Sequence, residues 1–155
     1  MGNLFAESGL NPKNLQNSYE KKLGYNDVTY TQAVDNGSYY NFVKDSAGYG
    51  LAQWTYWSRK KSLLSFAKQN RCSIGDLNIQ LEFLMFELRK SYKGVLEILT
   101  TTKSVKEASD AVLLKFEKPA DQSSKVRKKR ATYGEHFYNK YAPKKQSLLQ
   151  RWFKK

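Results

Sequence analysis

The chain has 155 residues, 40% of them hydrophobic and 26% charged, which describes one folded domain large enough to bury a core and excludes a disordered chain. No apolar run reaches bilayer-crossing length, and the opening MGNLFAESGL has neither the basic start nor the long apolar stretch of a secretion signal. The net charge of +13 points to an anionic partner, while a single cysteine (Cys72) and a single histidine (His136) exclude an internal disulfide and the usual zinc clusters.

In chain order, GNLFAES reads as the end of a helix, with Gly9 as a left-handed cap and Asn11-Pro12 preventing continuation. Residues 14–47 are rich in Tyr, Asn, Asp and Gly with weak periodicity. They are predicted to form a long irregular segment with short helices and a small hairpin, and a loop of that length in a compact domain is usually functional. After Thr55 as N-cap, WSRKKSLLSFAKQ is predicted helical with Leu63, Leu64 and Ala67 inward. Ser73 or Asp76 opens an amphipathic helix with Leu77, Leu81, Leu84 and Leu88 at helical spacing. Ser104-Val105-Lys106-Glu107 fits a capping box and begins a helix carrying Val105, Ala108, Val112 and Phe116 that Pro119 ends. A last helix runs from about Lys125 to Tyr141, with Val126, Tyr133, Phe137 and Tyr141 on one face. The expected architecture is a mainly helical domain over residues 1–142, followed by a basic amphipathic tail, 143–155.

The basicity is uneven. From Lys125 to Lys155 eleven Lys and Arg face one acid, Glu135, a net of +10, against +3 for residues 1–124. Such a region favours polyanions: nucleic acid, anionic lipid, or the teichoic acids and peptidoglycan carboxylates of a cell wall. In the tail, Leu148, Leu149, Trp152 and Phe153 alternate with basic residues, as in a segment that touches a membrane surface or partner, or in a plain linker.

Two segments carry candidate chemistry. In Glu7-Ser8-Gly9-Leu10-Asn11-Pro12 an acid stands on the last turn of a helix beside Leu4, Phe5 and Ala6. A carboxyl shed of water there would favour the protonated form that a general acid needs; an isolated helix Glu is otherwise an ordinary solvent-facing residue. In Gly48-Tyr49-Gly50-Leu51-Ala52-Gln53-Trp54-Thr55, two glycines allow close backbone approach, the aromatics offer flat faces to a sugar, and the Gln53 amide suits an acetamido group. Taken alone, Tyr49 and Trp54 read equally as core.

Together and in this order, the segments resemble the lysozyme-like superfamily of goose-type lysozymes and soluble lytic transglycosylases, in which a helix-end Glu-Ser precedes a Gly-Leu-x-Gln segment lining a sugar cleft. The chain is most similar to the phage tail lysozyme family, at GNLFAESGLNPKNLQ (Gly2 to Gln16) and GYGLAQWTYWSRK (Gly48 to Lys60), and onward through Ser73–Leu88, ASDAVLLKFEKPADQ (Ala108–Gln122) and Tyr141. The resemblance implies an α+β lysozyme-like fold and cleavage of the β-1,4 bond between N-acetylmuramic acid and N-acetylglucosamine. It implies Glu7 as proton donor and Gly50, Leu51 and Gln53 lining the cleft, with Ser8, Tyr49 and Trp54 beside them and Tyr138 corresponding to a tyrosine that contacts the catalytic Glu in relatives. It also implies no cofactor.

An inverting hydrolase needs a second carboxylate to activate water. Asp45, three residues before Gly48, is the candidate by likeness to the water-binding Asp of goose-type enzymes, ahead of Asp35, Asp27 and Glu20. A second acid that those enzymes hold just after the Gln is replaced here by Thr55. A lytic transglycosylase needs no such base, because the muramyl 6-hydroxyl attacks internally and leaves an anhydro product. Family-like domains also carry a longer helix before GNL, whereas Met1 stands six residues before Glu7. The expectation is a correct site with reduced activity, on a fragment of a larger product or on a shortened first helix. Peptidoglycan is the expected partner, with anionic wall polymers on the basic end and other phage tail proteins alongside, in a virion tail or released to the wall. The competing classes are a non-catalytic wall-binding module and, through KVRKKR (Lys125–Arg130), a nucleic-acid binder. The second is weaker, because that run lies on an ordinary amphipathic helix.

Overall fold

The computed structural model describes residues 1–142. Among these it contains α1 (Gly2–Ser8), α2 (Asn17–Leu23), α3 (Asp27–Asp35), α4 (Trp57–Gln69), α5 (Leu77–Ser91), α6 (Lys93–Thr101), α7 (Val105–Ala111), a π-helical segment (Val112–Glu117) and α8 (Ser124–Tyr141). The predicted mainly helical domain is therefore present. The small hairpin is reduced to isolated bridges, Leu15 with Tyr49 and Tyr49 with Trp54. The amphipathic tail, with Leu148, Leu149, Trp152 and Phe153, lies outside the described residues. No described helix is long and apolar enough to cross a membrane.

Helix ends follow the local chemistry. Gly9 caps α1 at φ 61°, its N–H donating to the Phe5 carbonyl. Asn26 and Thr29 form a reciprocal capping box on α3, and the Asp76 carboxylate accepts from the Ile79 N–H at the start of α5. Three expectations change. α4 is capped at Tyr56 rather than Thr55, whose hydroxyl instead donates to the Gln53 carbonyl. The Ser104 box is half made: Ser104 accepts from the Glu107 N–H, but the Glu107 carboxylate accepts from the Thr102 hydroxyl. The helix from Val105 does not run as one α-helix to Pro119, because residues 112–117 wind as a π-helix before Lys118 turns left-handed at φ 51°.

α5 is rotated off the first half of its leucine stripe, while Leu84 and Leu88 still pack on the core. Leu77 and Leu81 are exposed, and the buried face carries Ile79, Gln80, Phe83, Glu87 and Leu88. Apolar residues occupy two sides of this helix, and the side that wins is the one whose polar members are used. Gln80 donates to the carbonyls of Pro12 and Ile74, both at 2.6 Å, and accepts from the Leu51 N–H at 2.8 Å. Glu87 accepts from the Trp54 indole at 2.8 Å and from Arg59. Buried polar groups need such partners, so Gln80 and Glu87 fix the helix's rotation more firmly than leucine count does.

The core is one cluster of Leu15, Tyr30, Phe42, Tyr49, Trp54, Leu63 and Phe83 with their neighbours. The irregular segment is stapled around it by its acids. Asp27 accepts from the Leu15 N–H and the Asn11 amide, both at 2.7 Å, and Asp35 from the Ser73 hydroxyl and the Ile74 N–H. Cys72 is exposed.

Candidate active site

α1 is seven residues long, too short to persist alone, and three contacts seat it. A Cβ on Gly2 would stand 2.4 Å from the Gly134 nitrogen and 2.5 Å from the Arg130 carbonyl, so the backbones of α1 and α8 touch. The Phe5 ring packs edge-on against Tyr133 and Phe137. Asn3, buried, donates to the carbonyl and hydroxyl of Ser109 on α7. At the far end, the Ser8 hydroxyl lies 3.0 Å from both the Leu4 and the Leu51 carbonyls. Ser8 thus ties the end of α1 to the Gly-Leu-x-Gln segment, which puts Glu7 beside that segment.

The segment's glycines are required by approach. A Cβ on Gly48 would meet the Gln53 Oε1 at 2.6 Å, and one on Gly50, at φ +75°, would meet the Gln80 Oε1 at 2.6 Å. Gln53 takes a left-handed backbone, φ 47°, a conformation rare outside glycine. Its amide nitrogen donates to the Asn14 Oδ1 at 2.9 Å and the Asn14 carbonyl at 3.1 Å.

These elements enclose a cleft of about 760 Å³, large enough for a saccharide unit. Glu7 from α1, Asn14 and Gln16 from the following loop, and Gln53 line it together with Arg59 of α4 and Glu117 from the end of the π-helical segment. Tyr19 and Tyr56 supply its aromatic surface. Tyr56 is 63% exposed and its ring lies 6.0 Å from that of the exposed Trp57.

Several predicted site residues stand elsewhere. Tyr49 and Trp54 are 0% exposed: the first is bonded to the Thr31 hydroxyl, the second to Glu87, and neither offers a face to a ligand. Leu51 is also core. Ser8 and Gly50 act on the backbone, as described above. Tyr138 is 61% exposed on α8 and borders a separate apolar groove with Met1 and Phe137, not the cleft. The aromatic surface falls to Tyr19 and Tyr56 because the Gly48–Trp54 turn packs into the core, with Tyr49 paired to Trp54 and both rings buried.

Asp45 is also withdrawn. Its side chain is 1% exposed and paired with Lys60 at 2.5 Å, whose side chain is 0% exposed. Every lone-pair direction is taken: Lys60 and the Ala47 N–H donate to Oδ1, and the Tyr30 and Tyr39 hydroxyls to Oδ2. Burial pulls the Lys60 ammonium below its ordinary value, opposed by Asp45, and pushes the Tyr30 and Tyr39 phenols up, helped by the Asp45 charge. Asp45 does not line the cleft. Its place three residues before Gly48 serves to anchor the turn, since Lys60 also donates to the Ala47 carbonyl.

The environment of Glu7 is ionic where the sequence suggested an apolar one. Its Oε1 accepts from Arg130 Nη2 at 2.5 Å, while Arg130 Nη1 donates to Glu117 Oε2 at 2.6 Å. The Glu117 side chain is 3% exposed, and its Oε1 has no hydrogen-bond partner among the described residues. Burial, with the Glu7 charge second, lifts the Glu117 carboxyl to about 7 against the opposing pull of Arg130. Glu117 and Arg130 escaped the sequence reading, though each left a signal. Glu117 ends the largely apolar Val112–Phe116 stretch two residues before Pro119, as Glu7 follows Leu4-Phe5-Ala6. Arg130 shares the helical face of Val126, Tyr133 and Phe137.

No curated protein and no solved structure matched the chain. The family model described as phage tail lysozyme matches residues 1–141, a span that takes in every helix and every cleft residue named above. The chain belongs to the phage tail lysozyme family, phage-associated proteins with a lysozyme-like role in degrading the bacterial cell wall.

Proposed function

We propose that the chain is a muramidase that cleaves the β-1,4 bond between N-acetylmuramic acid and N-acetylglucosamine, with Glu7 as general acid to the glycosidic oxygen. The observation that carries this reading is that Glu7 and Gln53, far apart in sequence, line one open cleft of a phage tail lysozyme domain. Support also comes from the cleft's chemistry. Gln53, Asn14 and Gln16 provide amides for acetamido and hydroxyl groups, and Tyr19 and Tyr56 provide flat apolar faces. Protonation of the leaving oxygen by a carboxylic acid is the step shared by all carboxylate glycosidases of this type.

The reaction acts on peptidoglycan, and the basic C-terminal region holds the enzyme to anionic wall polymers. The setting is a virion tail during wall penetration or a lysin released at the wall. A second reading, lytic transglycosylase, draws support from one observation: Asp45, the candidate water-activating base, is enclosed by Lys60, Tyr30 and Tyr39. Internal attack by the muramyl 6-hydroxyl needs no base in its place.

Turbidity of a Gram-positive wall suspension tests the acid. Wild type clears it and Glu7→Gln does not; equal clearing by both removes Glu7 from its role. Mass spectrometry of the released muropeptides separates the two readings, since hydrolysis adds water and transglycosylation leaves anhydro ends.

A further inference from the structure

Arg130 reaches both cleft carboxyls at once, Nη2 to Glu7 at 2.5 Å and Nη1 to Glu117 at 2.6 Å. Its own side chain is 10% exposed, and the Glu117 side chain 3%. Two carboxylates around one guanidinium carry a net negative charge, and burial pushes the nearby Met1 amino group toward its neutral form; that charge is costly where Glu117 is enclosed, whereas one added proton makes the carboxyl–guanidinium set neutral. Glu117 Oε1, buried and without a partner, is an oxygen placed to carry that proton.

We propose that Glu7, Glu117 and Arg130 form one ionisable unit that holds a single shared proton, with Glu117 as the positioning residue that lets Glu7 bear a proton while facing a guanidinium. This rests on the reading of Glu7 as the acid. With the proton on Glu117, Arg130 neutralises Glu7; with the proton on Glu7, Arg130 neutralises Glu117. The two states have the same charge and the same Arg130 contacts, and the proton lost by one carboxyl is the one gained by the other. Without Glu117, Arg130 faces Glu7 alone, and that pair is neutral only when Glu7 is ionised and has no proton to give.

The groups facing Glu117 come from every element around it: Glu7 from α1 and the Met1 amino group just before it, Arg130 from α8 and Arg59 from α4, with Lys118 following it at the cleft wall. The basic groups among them lower its carboxyl, and burial with the Glu7 charge outweighs them, leaving it at about 7. Because the groups are coupled, the titration belongs to the unit.

The test needs no turnover, so it is separable from the test of Glu7 as the acid. In the 155-residue chain labelled with ¹³C at glutamate carboxyls, the Glu117 signal is identified by its loss in E117Q and followed against pH. The expected result is a midpoint near neutrality that moves toward the ordinary glutamate value of roughly 4.3 in E7Q. A Glu117 midpoint already in the ordinary range, or one that E7Q leaves in place, overturns the proposal. If E117Q fails to fold, E117D removes the same glutamate signal and supplies the assignment, and the E7Q titration keeps Glu117 itself intact. In wall clearing, folded E117Q is expected to lose the alkaline side of its pH profile roughly one pH unit or more earlier than wild type, with kcat and not KM affected and partial rescue by E117D. An E117Q profile superimposable on wild type also overturns it.

Discussion

Replacing Asp45 with Asn distinguishes an anchor from a base. The substitution keeps the volume but leaves the Lys60 ammonium, fully enclosed at the Ala47 carbonyl and the Tyr30 ring, without its counter-charge. Removing one partner of a buried ion pair costs about 3–5 kcal/mol, because an uncompensated charge remains. For a domain of this size each 1 kcal/mol moves Tm by roughly 2–4 °C, so the expected drop is on the order of 6–20 °C by circular dichroism. Lys60→Met alone leaves Asp45 facing two phenols and costs a comparable amount. The double variant Asp45→Asn/Lys60→Met removes both charges, and it is expected to melt well above the sum of the single losses, as contacting pairs do. Wall clearing per folded molecule, measured at least ten degrees or so below the variant's own Tm, should stay close to wild type. An Asp45→Asn protein with unchanged Tm and abolished clearing would refute this reasoning and return Asp45 to the chemistry.

Three further outcomes follow from the same geometry. Glu117 is raised from 4.5 to about 7 in the fold, so the folded state binds the extra proton more tightly; its contribution to stability is complete below pH 4.5 and disappears as pH rises through 7. Glu117→Gln, which never ionises, should therefore gain on wild type by up to about 3 kcal/mol between pH 5 and 8, read as a growing Tm difference in melts across that range; a constant difference refutes it. Gly50→Ala and Gly37→Ala both place a side chain at positive φ, but a Cβ at Gly37 meets open space and one at Gly50 meets Gln80. Gly37→Ala should cost about 1 kcal/mol and Gly50→Ala clearly more, with matched losses in urea midpoint counting against the contact. Ser8→Ala leaves the buried Leu51 carbonyl without its donor, an expected loss of about 1–3 kcal/mol, and because the bond seats Glu7, clearing should fall further than Tm alone explains; full clearing would show that α1 is seated without it.

Much of the fold was legible because its signals are local. Gly9, Asp76 and Ser104 act within a turn of themselves, and the resemblance to the family fixed which segments meet. The rotation of α5 was not legible, since it depends on what Gln80 and Glu87 find across the core, namely Leu51, Pro12 and Trp54. The same limit divided the site. Glu7 and Gln53 stand in motifs, and both face the cleft. Asp45, Tyr49 and Trp54 stand in or next to the same motif, but nearly all of that turn is buried, and the motif alone does not say which of its residues remain at the cleft. Glu117 and Arg130 lie more than a hundred residues from Glu7 along the chain, and the bonds joining the three exist only once α1 rests on α8.

That docking also accounts for how so short a helix can hold Glu7, the proposed acid, in place. Nothing in α1 itself supplies helical stability: its first residues lack an acid, its last lack a base, and no side chain caps its start. Its order comes from Gly2 against Gly134, Phe5 against two rings, and Asn3, Glu7 and Ser8 bonded to three different parts of the domain. Four of its seven residues are thus committed by side-chain contacts and a fifth by backbone contact, so the position of Glu7 is set by the assembled domain and not by α1's own propensity. The Arg130 bridge belongs to the same logic. A guanidinium whose Nη1 is held by Glu117, with Asn3 at the edge of hydrogen-bond reach of the same nitrogen, is a fixed, rigid fork, and its Nη2 holds the Glu7 carboxyl without asking α1 to be stiff.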